Sequence, residues 1–541
     1  MIRIVHYCLL CALFLINSVC FAIPHTSVKN ILPQFKEYVK EARKAWNSPG
    51  VSIAIIENGE VYYVNDGVAV VNQNDQITED SVFCIMSCTK VITVSILQRL
   101  VDEGKISLED KVTDYIPWFR VFNEETTAKV KVKHLISHCI GIPAFSGDSF
   151  THLDWSQAEV ITALSAIPLK HPVGEKYGYQ NNIVGIAGML IEKVTGKPLE
   201  TLMREHIFEP LSMSHSSIGP QKLGLWARGQ RFFSGLFSSK AAASPPARVS
   251  GHSFVHGKII AVSPTYQYTF CGTSGVNSCV SDYIKLLACF LNEGVIEFGP
   301  HKGERLFSER AWKVMSTEQT NIGHVREDNV QFPVARMKKK TFYYGNGMFG
   351  MDYGEHGKYV HLLSHMGAGT GWRSLWFAAP EQKLGIVVFC NHGSIVSNLL
   401  PESLVYQFLD LYYKFSNKDW SANILKRHRR GQTMSRSYDC YVLGPPPSAS
   451  LMCGSYSSNT YGSARVKTSK NKILLIYDNR KIELRHIGGP IFQIDPYELS
   501  HNYTDDDLCT VSFRMDKSGA VTSLEISQLN EGSKAFQRVG P

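Results

Sequence analysis

Past residue 22 the sequence has no apolar run approaching the roughly 20 residues that cross a bilayer as a helix, so the bulk of the chain does not read as membrane-spanning. Charge is sparse too. Asp, Glu, Lys and Arg make up 19% of the residues and apolar types 44%, the balance of a folded globular chain rather than a disordered or fibrous one. The net charge of +8 is spread over 541 residues. One dense basic run, Lys426-Arg427-His428-Arg429-Arg430, has no aromatic interleaving and no nucleic-acid motif beside it, so we expect a solvated linker face and no nucleic-acid partner. Metal patterns are missing as well. Cys84 and Cys88 sit outside any Cys-x-x-Cys or His-rich arrangement and read as buried thiols. His134 and His138, spaced i, i+4 on an expected helix, lack the intervening Glu of a zinc peptidase and an evident third ligand, so no metal is expected there.

The length exceeds one ordinary domain of about 100 to 200 residues, and two or three units are expected. The amino-terminal stretch combines Arg3, an apolar core from Tyr7 to Ile16 and small residues around Cys20-Phe21-Ala22. It reads as a secretory signal, which implies an exported protein, periplasmic or secreted, that meets a membrane only through this segment. Of 13 cysteines, Cys8, Cys11 and Cys20 belong to the signal. Export permits disulfides; Cys271/Cys279 and Cys440/Cys453 are spaced to close short loops, with connectivity left open.

Ser27 to Trp46 reads as an amphipathic helix, ended by Ser48-Pro49-Gly50. Two strands, Val51 to Ile56 and Val61 to Val64, flank an Asn-Gly hairpin signal, and Gly67 to Val71 is expected to extend the meander. A helix- and loop-rich region then runs from Leu108 to about Leu291. It includes a helix from Lys133 toward the Gly141-Ile142-Pro143 turn, a helix from Ile183 to Val194, and a surface excursion from Ser217 to Val262. Strands return at Tyr359 to Ser364, Trp372 to Ala378 and Leu384 to Cys390, before a last helix at about Ser394 to Tyr413. Strands at both ends with helices between predict an α+β fold: one antiparallel sheet flanked by helices, with a helical lobe inserted. The boundaries expected are a signal at 1–22, a main domain at 23–416, a linker at 417–450 and a small all-β unit, open or barrel-like, at 451–541.

Candidate chemistry centres on Ser87-Cys88-Thr89-Lys90. Serine is a weak nucleophile, and a lysine three residues on shares its helical face and can act as its base. A second Ser-x-x-Lys, Ser469 to Lys472, precedes a strand-like run and reads as a solvated turn. Two further motifs follow in order, Tyr179-Gln180-Asn181 and His365-Met366-Gly367. Together they resemble the Ser-x-x-Lys, Tyr-x-Asn and Lys-Thr-Gly or His-x-Gly motifs of the serine β-lactamase and penicillin-binding-protein-like hydrolases, in particular the class C and D-aminopeptidase/esterase branch. His134 to Pro143 and Gly272-Thr273-Ser274-Gly275 resemble flanking stretches of the same family. The resemblance covers about Thr26 to Tyr413; Cys453-Gly454-Ser455-Tyr456 and Phe536-Gln537-Arg538-Val539 resemble a small β domain often appended to such enzymes.

The resemblance implies an acyl-enzyme on Ser87, with Lys90 and Tyr179 handling the proton and the choice of base between them open. It implies an oxyanion hole from the backbone N–H groups of Ser87 and Ala368, and substrate contacts from Asn181, His365 and Gly367. No metal or organic cofactor is implied, and the partner is a small-molecule or peptide substrate. His365 replaces the permanent cation usual in the third motif and Met366 the usual hydroxyl, which favours a peptidase or esterase over an efficient β-lactamase. The rival expectation is a non-catalytic recognition protein for cell-wall peptides. Oligomeric state is not legible.

Overall fold

The structure, a computed structural model, describes residues 23–220, 249–324, 331–338, 341–393, 398–416, 418–427, 445–500, 503, 509–529 and 535–539. The expected signal, Cys440 and most of the basic run lie outside them. Among the described residues no helix is long and apolar enough to cross a membrane.

Helix α1 (Val28–Ala45) leads into the hairpin β1 (Gly50–Glu57) and β2 (Glu60–Gly67). Far along the chain come β8 (Thr320–His324), β9 (Thr341–Tyr344), β10 (Phe349–Glu355), β11 (Lys358–Gly369), β12 (Trp372–Ala379) and β13 (Leu384–Cys390). They join the hairpin in one antiparallel sheet of order β2-β1-β13-β12-β11-β10-β9-β8. The two ends of the domain meet where β1 pairs with β13, Val51 opposite Cys390 through Glu57 opposite Leu384. Of Gly67 to Val71, expected as a third strand, Gly67 closes β2 and Val68 forms an isolated bridge with Gln76, because the chain turns back there instead of pairing along its length.

Both faces of the sheet are covered, which explains the unbroken apolar runs of its central strands. Alternate β1 residues Val51, Ile53 and Ile55 pack with α1 and the helix Leu400–Tyr413 through Phe35, Val39, Phe408 and Tyr412. Ala54 and Ile56 face the opposite core with Leu286 and Leu287 of the helix Val280–Leu291. That second core continues into the helical lobe. There a small sheet of order β3-β7-β4, made by β3 (Phe83–Cys84), β4 (Ser217–Ile218) and β7 (Val276–Ser278), stands beside helix α2 (Thr89–Asp102). The expected excursion after Ser217 contains a hairpin, β5 (Gly251–Val255) with β6 (Lys258–Val262).

The carboxyl-terminal strands β14 to β21, from Gly454 to Val539, form a closed barrel filled by Tyr456, Leu475, Tyr477, Phe492, Phe513 and Phe536 among others. The barrel touches the main domain at the short helix α4 (Asp148–His152), which follows α3 (Val132–Ile136) in the lobe, and through the pairs Arg480–Asp154 at 3.9 Å and His256–Asp495 at 3.7 Å. Ser149 and Tyr461 hydroxyls lie 3.2 Å apart, Ser500 donates to the His152 carbonyl, and Tyr503 stacks on the His152 ring.

Candidate active site

The turn that carries Ser87 is held between the small sheet and β11. β3 delivers the chain to Ile85, whose N–H bonds Val276 of β7. Met86 then takes φ +50, a left-handed conformation that costs a side-chain-bearing residue about 1–3 kcal/mol. Met86–Cys88 form a 3₁₀ turn, so the α-helix starts at Thr89, slightly after Ser87. Strand β11 passes so close that a methyl group on Gly367 would lie 2.3 Å from the Ile85 carbonyl oxygen, and one on Gly369 would collide with Met86. This is why the third motif needs glycine; the strand also runs through the motif to Gly369 instead of ending at Ser364.

Ser87 is half-buried and Lys90 completely buried. The Lys90 Nζ donates to Ser87 Oγ at 2.8 Å, to Asn181 Oδ1 at 2.8 Å and to the Thr273 carbonyl at 3.4 Å. Burial lowers the Lys90 pKa to about 7, with the Asp148 carboxylate pulling against that fall. A lysine so placed is substantially a neutral amine at physiological pH, directly on the serine hydroxyl.

Tyr179 lies against Lys90, whose nitrogen sits 5.0 Å from the ring centroid. Burial pushes its phenol well above the ordinary tyrosine range, only partly offset by the Ser87 hydroxyl, so it stays protonated at neutral pH. A phenol held in its protonated form can give a proton but takes none. Its ring belongs to a cluster with His138 at 4.4 Å and Phe145 at 5.5 Å. Phe145 keeps 49% of its surface exposed, an apolar face beside the Tyr179 ring.

Asn181 opens the helix α5 (Asn181–Thr195). Its carboxamide is engaged on both sides: the oxygen accepts from Lys90, and Nδ2 donates to Asp148 Oδ2 at 2.7 Å. Asp148, on α4, was not singled out in the sequence, yet it completes a Ser87–Lys90–Asn181–Asp148 chain. Gly147, at φ +84, makes room for it, since a Cβ there would lie 2.6 Å from Asn182 Nδ2.

His365 is fully buried. Its Nδ1 lies 2.8 Å from the Met366 carbonyl and its Nε2 3.2 Å from the Tyr344 hydroxyl, and burial with the Lys90 charge lowers its pKa to about 3. Its ring lies against Tyr344 and 6.4 Å from the Tyr179 ring. Ala368 is half-buried on β11 beyond Ser364, where the pairing with β10 ends; among the described residues, 365–369 pair only with β12. That leaves one strand edge with its backbone groups beside Ser87.

The helix carrying His134 ends at Ile136, and His138 has φ +57, so the two histidines do not share a helical face. His134 Nδ1 accepts from the Lys131 N–H and His138 Nδ1 from the Gln180 N–H. Cys84 and Cys88 are buried free thiols, pushed up to about 12 by burial. Cys271 and Cys279 are also free, so that expected pairing is absent; Cys453 is a free thiol and Cys440 lies outside the described residues.

The Beta-lactamase family model matches residues 35–398. The unguisins hydrolase of Aspergillus campestris is 27% identical over 250 residues, 44% of this chain and 46% of that protein. Penicillin-binding protein 4 of Amycolatopsis lactamdurans is 28% identical over 193 residues, 35% of this chain and 49% of that protein. The matched stretch thus spans less than half of each relative. Among solved structures, the octameric penicillin-binding protein homologue from Pyrococcus abyssi superposes with a TM-score of 0.55 at 20% identity, covering 92% of this chain and 98% of that one. A D-stereospecific amidohydrolase from Streptomyces sp. gives 0.50 at 19%, covering 67% and 94%. Those structural likenesses show the fold, and with the family match across more than half of the chain they place this protein in the Beta-lactamase family.

Proposed function

We propose that this chain is an exported serine hydrolase that cleaves an amide or ester through an acyl-enzyme on Ser87. The observation that carries the reading is the 2.8 Å hydrogen bond between Ser87 and a buried lysine whose pKa falls to about 7. Neutral Lys90 takes the Ser87 proton as Oγ bonds the acyl carbon. Tyr179 gives its proton to the leaving nitrogen or oxygen as that bond breaks, and the Lys90 ammonium restores the Tyr179 proton. Water then attacks the ester carbonyl with Lys90 again as base, and Ser87 leaves with its proton. The N–H groups of Ser87 and Ala368 hold the developing oxyanion, each donor contributing about 100- to 1000-fold.

The free β11 edge suits an extended substrate lying antiparallel to it, with an apolar group against Phe145. A neutral His365 in place of a cation weakens binding of a substrate carboxylate, which favours peptide amides and esters over β-lactams. The name of the unguisins hydrolase agrees with a hydrolytic reading. A non-catalytic recognition protein has no use for a depressed lysine pKa on the serine. Hydrolysis of a cephalosporin, a D-amino-acid amide and a short-chain ester by wild type and Ser87→Ala tests the proposal. Turnover of the amide or ester that the variant loses supports it; no turnover of any of the three, or turnover that Ser87→Ala retains, overturns it.

A further inference from the structure

The small sheet that delivers Ser87 has an end remote from the nucleophile turn, and three residues of different chemistry meet there. β7 is antiparallel to both β3 and β4, so the chain entering β3, the chain entering β4 and the chain leaving β7 come together. Asp80 stands just ahead of β3, His215 just ahead of β4, and Cys279 directly after β7. The ligand atoms of the three all lie within 4.8 Å of one another. His215 Nδ1 is 3.9 Å from Asp80 Oδ1 and 3.9 Å from Cys279 Sγ.

We propose that Asp80, His215 and Cys279 form a zinc-type divalent cation site that clamps the back of this sheet. Imidazole, thiolate and carboxylate are the ligands zinc takes, with bonds of about 2.0 to 2.3 Å, and a tetrahedron built on them has edges of about 3.3 to 3.7 Å. Two of the three ligand pairs therefore stand within about half an ångström of metal-bound spacing, which side-chain rotation supplies. Binding displaces the Cys279 thiol proton to solvent.

The surroundings of the three ligands suit such a site. Ser281 Oγ donates to Asp80 Oδ1 at 2.5 Å and lies 3.1 Å from Cys279 Sγ, holding two ligands in orientation. The His215 loop is pinned by Asp282, which accepts from the His215 N–H at 2.7 Å and from Ser216 Oγ at 3.0 Å. Asp282 is in turn paired with Lys285, so the lysine charge is engaged away from the cluster. Cys279 is fully buried, whereas the His215 and Asp80 side chains are 34% and 49% exposed, giving the cation a way in and a water the fourth position. The site is structural: β3 runs from it to Cys84, three residues before Ser87, so the metal anchors the strand that carries the strained Met86 turn.

The purified full-length protein, loaded with zinc and dialysed against metal-free buffer, is expected to retain close to one equivalent by elemental mass spectrometry. Cys279→Ser and His215→Ala each lower the affinity by more than about 10- to 100-fold, the loss that even outer-shell changes cause, and Cys271→Ser leaves it intact. Cobalt(II) gives a thiolate-to-cobalt charge-transfer band that Cys279→Ser lacks. His215 is half-exposed, so His215→Ala keeps the test available if the buried Cys279→Ser fails to fold. Metal retention equal in wild type and His215→Ala, or cobalt bound without a thiolate band, overturns the proposal. Ser87→Ala must bind zinc as wild type does, so the outcome is independent of the hydrolase reading.

Discussion

Replacing Asp148 by Asn removes one negative charge from the surroundings of Lys90 while leaving an acceptor for the Asn181 carboxamide. Two hydrogen bonds, of 2.8 and 2.7 Å, link the Lys90 nitrogen through that carboxamide to the Asp148 oxygen. The amide group itself adds about 2 Å, so the two charges are at most ~8 Å apart. Coulomb's law then gives about 2 kcal/mol at an effective dielectric of 20, and about 0.5 kcal/mol with water-like screening. At 1.36 kcal/mol per unit this is a shift of about 0.4 to 1.5 pH units. Its sign follows from the charge. Asp148 favours the ammonium, so removing it drops the Lys90 pKa further below about 7. The neutral base is then populated at lower pH. In a pH series of kcat/KM on a p-nitrophenyl ester, the acidic limb of Asp148→Asn is expected to move down by that amount, since this limb reports the base of the free enzyme. An acidic limb that stays in place or moves to higher pH refutes the electrostatic chain from Asp148 to Lys90.

Tyr179→Phe keeps the ring packed against His138 but removes the donor, so amide turnover should fall about 100- to 10,000-fold, while a p-nitrophenyl ester, whose leaving group needs no proton, loses much less; steady-state kinetics on both substrates separates the two. Gly367→Ala puts a methyl group 2.3 Å from the Ile85 carbonyl oxygen, and thermal melting should show a loss of about 1–3 kcal/mol together with lower activity as the nucleophile turn shifts. Lys90→Met should abolish turnover and raise stability. Because the folded lysine pKa is about 7, below its ordinary 10.5, the burial penalty is full below pH 7 and declines as pH rises toward 10.5, so the gain in Tm must be larger at pH 6 than at pH 9.

The Ser87–Lys90 contact was legible because it is local: the two residues are separated by one turn, and the resemblance of three ordered motifs linked them to Tyr179 and His365. The β1–β2 hairpin and the pairing of first and last strands followed from apolar runs and turn chemistry. Asp148 was invisible because it sits on a five-residue helix without periodicity, and only the tertiary approach of α4 to α5 brings it to Asn181. The early end of α3 at Ile136 hid in the same way, since no breaker precedes His138. β11 was expected to stop at Ser364 because glycines weaken strand propensity, yet Gly367 and Gly369 are the residues that let the strand pass against Met86. In the barrel, the short strands Gly454–Ser458, Ile491–Gln493 and Ala535–Val539 lack β-branched runs. The Asp80, His215 and Cys279 cluster is created wholly by the β3-β7-β4 topology.

The central claim is that Ser87 is a nucleophile activated by Lys90. A fluorophosphonate probe should add one phosphonyl group to the wild-type protein, with the modified peptide containing Ser87 and with labelling that increases as pH rises through about 7, the Lys90 pKa. Labelling of Ser87→Ala to the same extent, or modification mapped to another residue, would contradict it.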